Sequence, residues 1–183
     1  LTFESTPEGT RRGADVVLIS GPVSIAPPYG VTVVPVMTSR QMRDAVFAHR
    51  SGAYAVFMVA AVSDYAPVES PQKIKKTGGP LTLVLDEGPD ILAELGRSRS
   101  SEILVGFAAE TEDVFRNAAR KLETKNADFI VANDVAAPGL GIGSDRNAVT
   151  ILDRDGGRFP VAEASKTEIA EAILDRVFGG SAA

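Results

Sequence analysis

From Ala14 to Phe178 the chain alternates short apolar segments with segments of helical periodicity, and this alternation restricts it to a small group of folds. Several of the apolar segments lack polar alternation, as expected of strands that are covered on both faces. Strands that alternate with helices are typical of crossover units. The sequence therefore predicts an α/β fold with a mostly parallel central sheet. The predicted strands are Asp15–Ser20, Val31–Val36, Tyr54–Val62, Ile103–Ala109, Phe129–Ala132 and Val149–Leu152.

Two predicted helices begin at capping boxes, in which a hydroxyl residue is followed three positions later by Glu or Gln. Thr38 and Gln41 form one such pair, and Ser165 and Glu168 form the other. A third helix is predicted from about Thr111 to Lys125, because Val114, Ala118 and Leu122 fall on one stripe. We interpret these stripes as core-facing surfaces.

The composition predicts one soluble domain and excludes several functions. At 183 residues the chain can bury one core, so we expect a single domain over residues 1–178 and a flexible tail at 179–183. The 19 basic and 24 acidic residues argue against a general nucleic-acid binder, which needs a surplus of positive charge. No apolar segment reaches the roughly 18 residues of a membrane span, so no membrane partner is expected.

Cysteine and histidine are almost absent. The chain has no cysteine, which excludes disulfides and thiolate metal sites, and its single histidine, His49, excludes a multi-histidine zinc site. A cytoplasmic protein fits this usage best.

Two irregular segments interrupt the alternation. Residues 66–80 contain three prolines and two glycines and precede LTLVL (Leu81–Leu85), which reads as a strand, so we expect a flap or arm around residues 66–86. The second is the glycine-rich segment Ala136–Asp145, which follows a strand. Long loops at the carboxyl ends of strands are where α/β folds bind ligands.

An aspartate and a lysine cluster follow the third predicted strand and allow two interpretations. Asp64 can simply cap a turn, and Lys73, Lys75 and Lys76 can simply face solvent. Alternatively, an aspartate near ribose or metal and a lysine over phosphates together form a nucleotide site. The position of the lysines, shortly after the same strand end, adds support to the second interpretation, and both interpretations stay open at this point.

Two later segments carry candidate ligand contacts. In GFAAETEDV, the helix dipole accounts for Glu112 and Asp113, whereas Phe107, Ala108 and Ala109 lie at a strand end whose backbone can contact a base. In KNADFIVANDV, Asn126 precedes a strand and polar residues end it. A turn and a ligand contact are equally compatible with that pattern.

Taken in order, these segments resemble the phosphopantothenate–cysteine ligase family, the second half of the bacterial bifunctional coenzyme A biosynthesis protein. They extend over nearly all of the chain from Gly13 to Phe178. The matching segments are GADVVLISGPV (Gly13–Val23), VMTSRQM (Val36–Met42), AAVSDY (Ala60–Tyr65), KIKK (Lys73–Lys76), PDIL (Pro89–Leu92), GFAAET (Gly106–Thr111), KNADFIVANDV (Lys125–Val135) and GSDRNAV (Gly143–Val149).

The resemblance implies a CTP-dependent ligase with a Rossmann-like, three-layer fold. In this family the carboxylate of 4′-phosphopantothenate attacks the α-phosphate of CTP and releases pyrophosphate. The amine of cysteine then displaces CMP from the acyl-cytidylate to form an amide. The resemblance also implies Mg²⁺ with the nucleotide, and a homodimer to which the arm contributes.

Site residues follow from the matching motifs. Lys73 corresponds to the catalytic lysine that meets the triphosphate, whereas Lys75 and Lys76 only support the arm. A carboxylate is already a nucleophile, so such a site needs positioning and electrostatic stabilisation rather than a Ser, Cys or His nucleophile. No metal ligand is assigned. The implied nucleotide-binding residues are Met58, Val59, Ala60, Asp64, Lys73, Phe107, Ala108, Ala109, Glu110 and Asn126.

The chain departs from the family pattern at two places. The family opens with a strand, a TAG(G/P)T loop and an RxxxNxSSGxxG segment, none of which occurs in Leu1–Arg12, so we expect this region to be incomplete and assign no site residue before Gly13. Gly88 stands where the family often has asparagine. Two alternatives remain: a CTP-binding module without ligase activity, and a Rossmann dinucleotide oxidoreductase, although no G-x-G-x-x-G is present.

Overall fold

The computed structural model describes residues 2–68, 70–76, 78–110, 113–134 and 146–179. Helices and strands alternate along most of this length, which confirms the α/β class. The helices are α1 Thr2–Arg11, α2 Ser39–His49, α3 Ile91–Arg97, α4 Val114–Thr124 and α5 Lys166–Gly179. The strands are β1 Val17–Ser20, β2 Thr32–Pro35, β3 Ala55–Met58, β4 Tyr65–Pro67, β5 Leu85–Glu87, β6 Ile103–Glu110, β7 Phe129–Asp134, β8 Arg146–Asp153 and β9 Arg158–Ser165.

The central sheet has the strand order β3-β6-β7-β8-β9 and is mixed. β3, β6 and β7 run parallel, with Met58 opposite Gly106 and Gly106 opposite Ile130. β7 pairs antiparallel with β8, and β8 pairs antiparallel with β9 through a hairpin over residues 153–158. The parallel half is therefore the half that contains the predicted nucleotide segments.

Two apolar clusters lie on opposite faces of this sheet, which confirms the three-layer arrangement. Alternate residues of β6 point to opposite sides: Leu104 joins the cluster under α2, α3 and α4, whereas Val105 joins the cluster under α5. Leu95, Leu104, Val105 and Ile130 are all 0% exposed. Burial of each such side chain stabilises the fold by about 1.5–3 kcal/mol.

Both predicted capping boxes are present. Gln41 N donates to Thr38 Oγ1 at 3.1 Å while Thr38 N donates to the Gln41 side chain at 3.2 Å. At α5, Glu168 N donates to Ser165 Oγ at 3.3 Å and Ser165 N donates back to the Glu168 carboxylate at 2.9 Å. These bonds satisfy orphan amides of the first helical turns.

Several predicted boundaries differ from the structure. The helix predicted from about Thr111 begins at Val114, after Asp113 adopts a left-handed conformation with φ 47°, and Thr111 itself lies outside the described residues. The strand predicted over Tyr54–Val62 ends at Met58. Gly179, assigned to the tail, is the last residue of α5, and residues 180–183 lie outside the described part of the chain, as does the glycine-rich segment 136–145.

The predicted arm is a two-stranded extension. β4 pairs antiparallel with β5, with Tyr65 opposite Glu87 and Pro67 opposite Leu85. We call residues 65–87 the arm; residues 69 and 77 within it are outside the described residues. The predicted strand Leu81–Leu85 was wrong for its first four residues, because pairing with β4 begins only at Leu85. Their apolar side chains are exposed, so β propensity alone did not produce a strand.

An apolar gap separates the parallel β1–β2 sheet from the central sheet. Within the described residues β1 pairs only with β2, and β3 pairs only with β6. A cavity of about 350 Å³ runs along both unpaired edges, lined by residues 14–19 and 53–60 and closed by side chains of α2 and α5, including Met42, Val46, Leu174 and Phe178. We call this cavity the β1–β3 gap.

No helix in the described ranges is long and apolar enough to cross a membrane.

Candidate nucleotide site

The parallel strands β3 and β6 end side by side and define what we call the carboxyl edge. Met58 is opposite Gly106, so Val59 and Ala60 continue beside Phe107. Ala60 is exposed and Val59 is half-buried, so this strand end is open to solvent. This geometry brings together two of the predicted nucleotide-binding segments.

β6 carries the second segment, and its side chains alternate in their surroundings. Phe107 packs against the cluster under α5, whereas Ala108 is 2% exposed and packs under α3 and α4. Ala109 is exposed, and Glu110 ends the strand opposite Asp134. Small residues here leave backbone groups as the available contacts of this strand end.

Glycine permits the close approach of α3 to this part of the sheet. A Cβ placed on Gly106 would lie 2.5 Å from Leu92 Cδ2 of α3 and 2.7 Å from Ile130 Cδ1. A larger residue would require the ends of the Leu92 and Ile130 side chains to shift.

Asp64 lies where three segments of the chain meet. Gly88 N donates to the Asp64 carbonyl oxygen at 2.7 Å. A Cβ on Gly88 would lie 2.9 Å from Ser63 O and 3.6 Å from the hydroxyl of Ser39, at the start of α2. The family often has asparagine at this position, whereas in this chain the backbone contact leaves little room for a side chain on Gly88. The Asp64 residue is exposed and accessible to a ligand.

The arm begins and ends at this meeting point. Tyr65 follows Asp64, and its partner Glu87 precedes Gly88. Lys73, Lys75 and Lys76 lie on the arm in a segment without helix or strand, all exposed and without an ion pair within the described residues. Motion of the arm about its base would move Lys73 relative to Asp64.

Asp90 and Lys125 belong to the same region and were missed by the sequence reasoning. Asp90 is the N-cap of α3 and accepts a hydrogen bond from Ala93 N at 3.0 Å. The ammonium of Lys125 pairs with the other carboxylate oxygen of Asp90. Partial burial raises the pKa of Asp90, but the hydrogen bonds from Lys125 and Ala93 lower that pKa by more.

Asn126 is not brought to the carboxyl edge. It lies in the turn between α4 and β7, at the amino end of β7, with φ 48°. Its side-chain nitrogen donates to Gly96 O at 2.9 Å, and its side-chain oxygen accepts from Arg154 at 3.3 Å. Its amide is therefore engaged within the protein, on the opposite edge from Phe107.

The described residues contain no group of three or more His, Asp or Glu side chains placed to hold a metal ion. Magnesium, however, is commonly bound through one or two carboxylates together with substrate phosphates. The exposed Asp64 carboxylate at the base of the arm fits that kind of partial site.

Comparisons with known proteins show which family this chain resembles. The family described as "DNA/pantothenate metabolism flavoprotein C-terminal domain" matches residues 6–179. The coenzyme A biosynthesis bifunctional protein CoaBC of Bacillus subtilis (strain 168) is 44% identical over 169 residues, which cover 91% of this chain and 42% of that protein. CoaBC of Escherichia coli (strain K12) is 39% identical over 180 residues, covering 96% and 44% respectively. The chain thus spans less than half the length of these two relatives.

A solved structure shares the fold over nearly the whole chain. The crystal structure of the C-terminal domain of the coenzyme A biosynthesis bifunctional protein CoaBC superposes with a TM-score of 0.78 at 36% identity, covering 96% of this chain and 80% of that one. Together with the match to the family over residues 6–179, this shows that the chain belongs to the family of DNA/pantothenate metabolism flavoprotein C-terminal domains.

Proposed function

We propose that the protein is a phosphopantothenate–cysteine ligase that uses CTP in coenzyme A biosynthesis. The observation that carries the proposal is the meeting of Asp64, Gly88 and both ends of the lysine-bearing arm in the chain that follows the carboxyl end of β3. The similarity to CoaBC proteins, with 44% identity in the Bacillus relative, supports the reaction class. The reaction belongs in the cytoplasm, where coenzyme A is assembled from small soluble substrates.

In the first proposed step the 4′-phosphopantothenate carboxylate attacks the α-phosphorus of CTP. A carboxyl oxygen–phosphorus bond forms, the bond to the bridging oxygen of the β-phosphate breaks, and pyrophosphate leaves. Lys73 neutralises charge growing on that leaving group, which selectively stabilises the transition state. The Asp64 carboxylate would hold either the ribose or a Mg²⁺ ion bound with the nucleotide, and such an ion would supply further charge neutralisation.

In the second proposed step the cysteine amine attacks the acyl carbonyl. A carbon–nitrogen bond forms, the carbon–oxygen bond to CMP breaks, and the amine loses a proton to solvent. The backbones of Met58, Val59 and Ala60 and of the Phe107–Glu110 segment hold the nucleotide during both steps. Such catalysis depends on holding the reactants in line rather than on a protein nucleophile.

The arm also supports the proposal of a homodimer. Several large apolar side chains of the arm are more than half exposed, and a second copy of the chain could cover them. Light scattering at micromolar concentration should give twice the chain mass, and a monomer at high concentration would contradict the dimer. The exposed residues are Val68, Ile74, Leu81, Leu83, Val84 and Leu85.

The function is tested by measuring pyrophosphate release with phosphopantothenate and Mg²⁺, with CTP and ATP in parallel, and with and without cysteine. Release that requires phosphopantothenate and prefers CTP is the expected result. Absence of release while calorimetry still detects CTP binding would replace the ligase by a CTP-binding module. Binding of NADH without binding of CTP would favour an oxidoreductase.

A further inference from the structure

α3 crosses from the carboxyl edge to the amino edge of the sheet, and its last turn is in direct contact with the turn between α4 and β7. A Cβ on Gly96, in that last turn, would lie 1.9 Å from Lys125 O and 3.1 Å from Asn126 Cβ. The backbone of α3 therefore rests on these two residues without an intervening side chain.

Asn126 is the residue that joins the two elements by a hydrogen bond. The Gly96 carbonyl is one of the last four of α3, which have no intrahelical partner, and it accepts the bond from Asn126 Nδ2 at 2.9 Å. The left-handed conformation of Asn126, with φ 48°, belongs to the same turn, and asparagine adopts it more readily than most residues.

The turn that carries Asn126 is itself tied to the central sheet. Arg99 donates to Asn126 O at 3.1 Å and to both carboxylate oxygens of Asp128 at 2.7 and 2.6 Å. Asp128 in turn accepts from Leu104 N at 2.8 Å, and Arg154 donates to Ala127 O at 3.2 Å. Asn126 thus presents its amide to α3 from a base fixed by β6 and β7.

The far end of α3 is part of the candidate site. The Lys125 backbone packs against Gly96, whereas its ammonium pairs with Asp90, the N-cap at the opposite end of the helix. Two residues before Asp90, Gly88 donates to Asp64 O. A shift of α3 along its axis would separate the Lys125 ammonium from Asp90 and pull Gly88 away from Asp64.

We propose that Asn126 is a positioning residue, whose amide fixes the last turn of α3 and thereby holds Asp90, Lys125 and Gly88 in register with Asp64. The consequence for nucleotide use rests on the proposed function, whereas the consequence for the Asp90–Lys125 pair does not. Asn126 acts through α3 and does not contact the nucleotide.

Asn126→Gly tests this role, because glycine keeps the positive φ without strain and removes the side chain that bonds to Gly96 O and accepts from Arg154. The first readout is the titration of Asp90, which is monitored through the NMR signal of its labelled carboxyl carbon. Loss of the Lys125 hydrogen bond raises the pKa of Asp90 towards its ordinary value. The matched control is Thr124→Ala, which removes an exposed side-chain bond to Arg120 O in the neighbouring turn and leaves α3 untouched.

The second readout separates positioning from stability. With Asn126→Gly we expect the KM for CTP to rise about tenfold with a much smaller change in kcat, since misplacement of a binding element weakens nucleotide binding. If the glycine variant does not fold, Asn126→Asp is measured the same way, with its added charge screened by salt.

An unchanged Asp90 titration and an unchanged KM in a folded variant would overturn the proposal. Unfolding of both variants would also overturn it, because Asn126 would then have a purely structural role. A shifted Asp90 titration in a protein whose parent shows no CTP-dependent activity would support the positioning role and remove the ligase proposal instead.

Discussion

At the scale of single residues, Gly96 shows how closely α3 is docked. Alanine is favoured over glycine in a helix by about 1 kcal/mol, but the new Cβ would overlap the Lys125 carbonyl at 1.9 Å, and overpacking of this kind costs about 3 kcal/mol. We expect Gly96→Ala to lose about 2 kcal/mol net and to lower Tm by roughly 4–8 °C. Gly79→Ala, with no atom within 4 Å of its Cβ, is the control; equal Tm values for both variants would contradict the close contact.

Lys73 and Lys76 are exposed on the same segment, so their comparison isolates the proposed catalytic charge. Lys73→Gln should slow pyrophosphate release by about 100-fold, the usual effect of removing one group that stabilises a developing anion. Lys76→Gln should change the rate by less than about twofold, as expected of an exposed supporting charge. Similar rates for the two variants would remove the distinction between them.

Asp153 should make the fold sensitive to acid. It is 7% exposed; burial raises its pKa, but hydrogen bonds from Gly157 N at 2.6 Å and from Arg176 at 2.6 Å lower that pKa by more. A carboxyl group whose folded pKa lies below its unfolded value stabilises the fold above the unfolded pKa, and this stabilisation is lost as pH falls through the folded pKa.

Asp153→Asn should therefore lower the free energy of unfolding at pH 7, and the difference from the parent should shrink below about pH 4. Urea denaturation at both pH values measures this. Asp155→Asn, at an exposed position of the same turn, should behave like the parent. A difference that stays constant with pH would mean that the Asp153 charge is not the stabilising feature.

Single residues also mark the limit of sequence reasoning about the site. Asp64 and Lys73 were predicted as site residues because they follow one strand within ten positions of each other. Lys125 and Asp90 are 35 positions apart and come together only because α3 and α4 pack on the same face. For Asn126 the pattern was equally compatible with a turn and a ligand contact, and only the hydrogen bond to Gly96 identifies its partner.

At the scale of the element, the start of α2 was predictable because its signal is local. Thr38 and Gln41 form a reciprocal pair of bonds that needs no tertiary partner. Thr38→Ala should cost about 1 kcal/mol and lower Tm by roughly 2–4 °C. Ser51→Ala, at an exposed turn position just after the helix, should have no measurable effect. An unchanged Tm for Thr38→Ala would mean that the capping box stabilises the start of α2 no more than water does.

Strands were less predictable than helix starts, because their pairing is set elsewhere in the chain. β9 was missed: RFPVAEAS contains a proline and charged residues, which suit an edge strand that pairs only with β8. β4 was missed because YAP is short and pairs with residues about 20 positions later. Conversely, Leu81–Val84 had strong β propensity but no partner strand within the described residues.

At the scale of the whole molecule, the order of layers followed from the alternation of strands and helices, but the separation of the β1–β2 sheet did not. Apolar strands of similar composition gave no indication of which edges would pair. β1 and β3 both read as buried strands, yet each leaves one edge unpaired along the β1–β3 gap. β9, by contrast, is an edge strand that contains Pro160 and Glu163, and these residues disfavour pairing with the strand of another molecule.

The β1–β3 gap also divides the molecule in its dynamics. Across it the two sheets are connected through packing of α2 on β1 and of α1 on α5, and no main-chain ladder within the described residues joins them. The amide protons of Leu18 and Ile19 should therefore exchange with deuterium through a separate local opening. The free energy of that opening should be lower than the free energy of the opening that exposes Val105 and Val131. Mass spectrometry of peptic fragments would measure it. Equal protection of both sheets would indicate one cooperative unit; unequal protection would mean that the molecule can loosen one flank while the nucleotide edge stays folded.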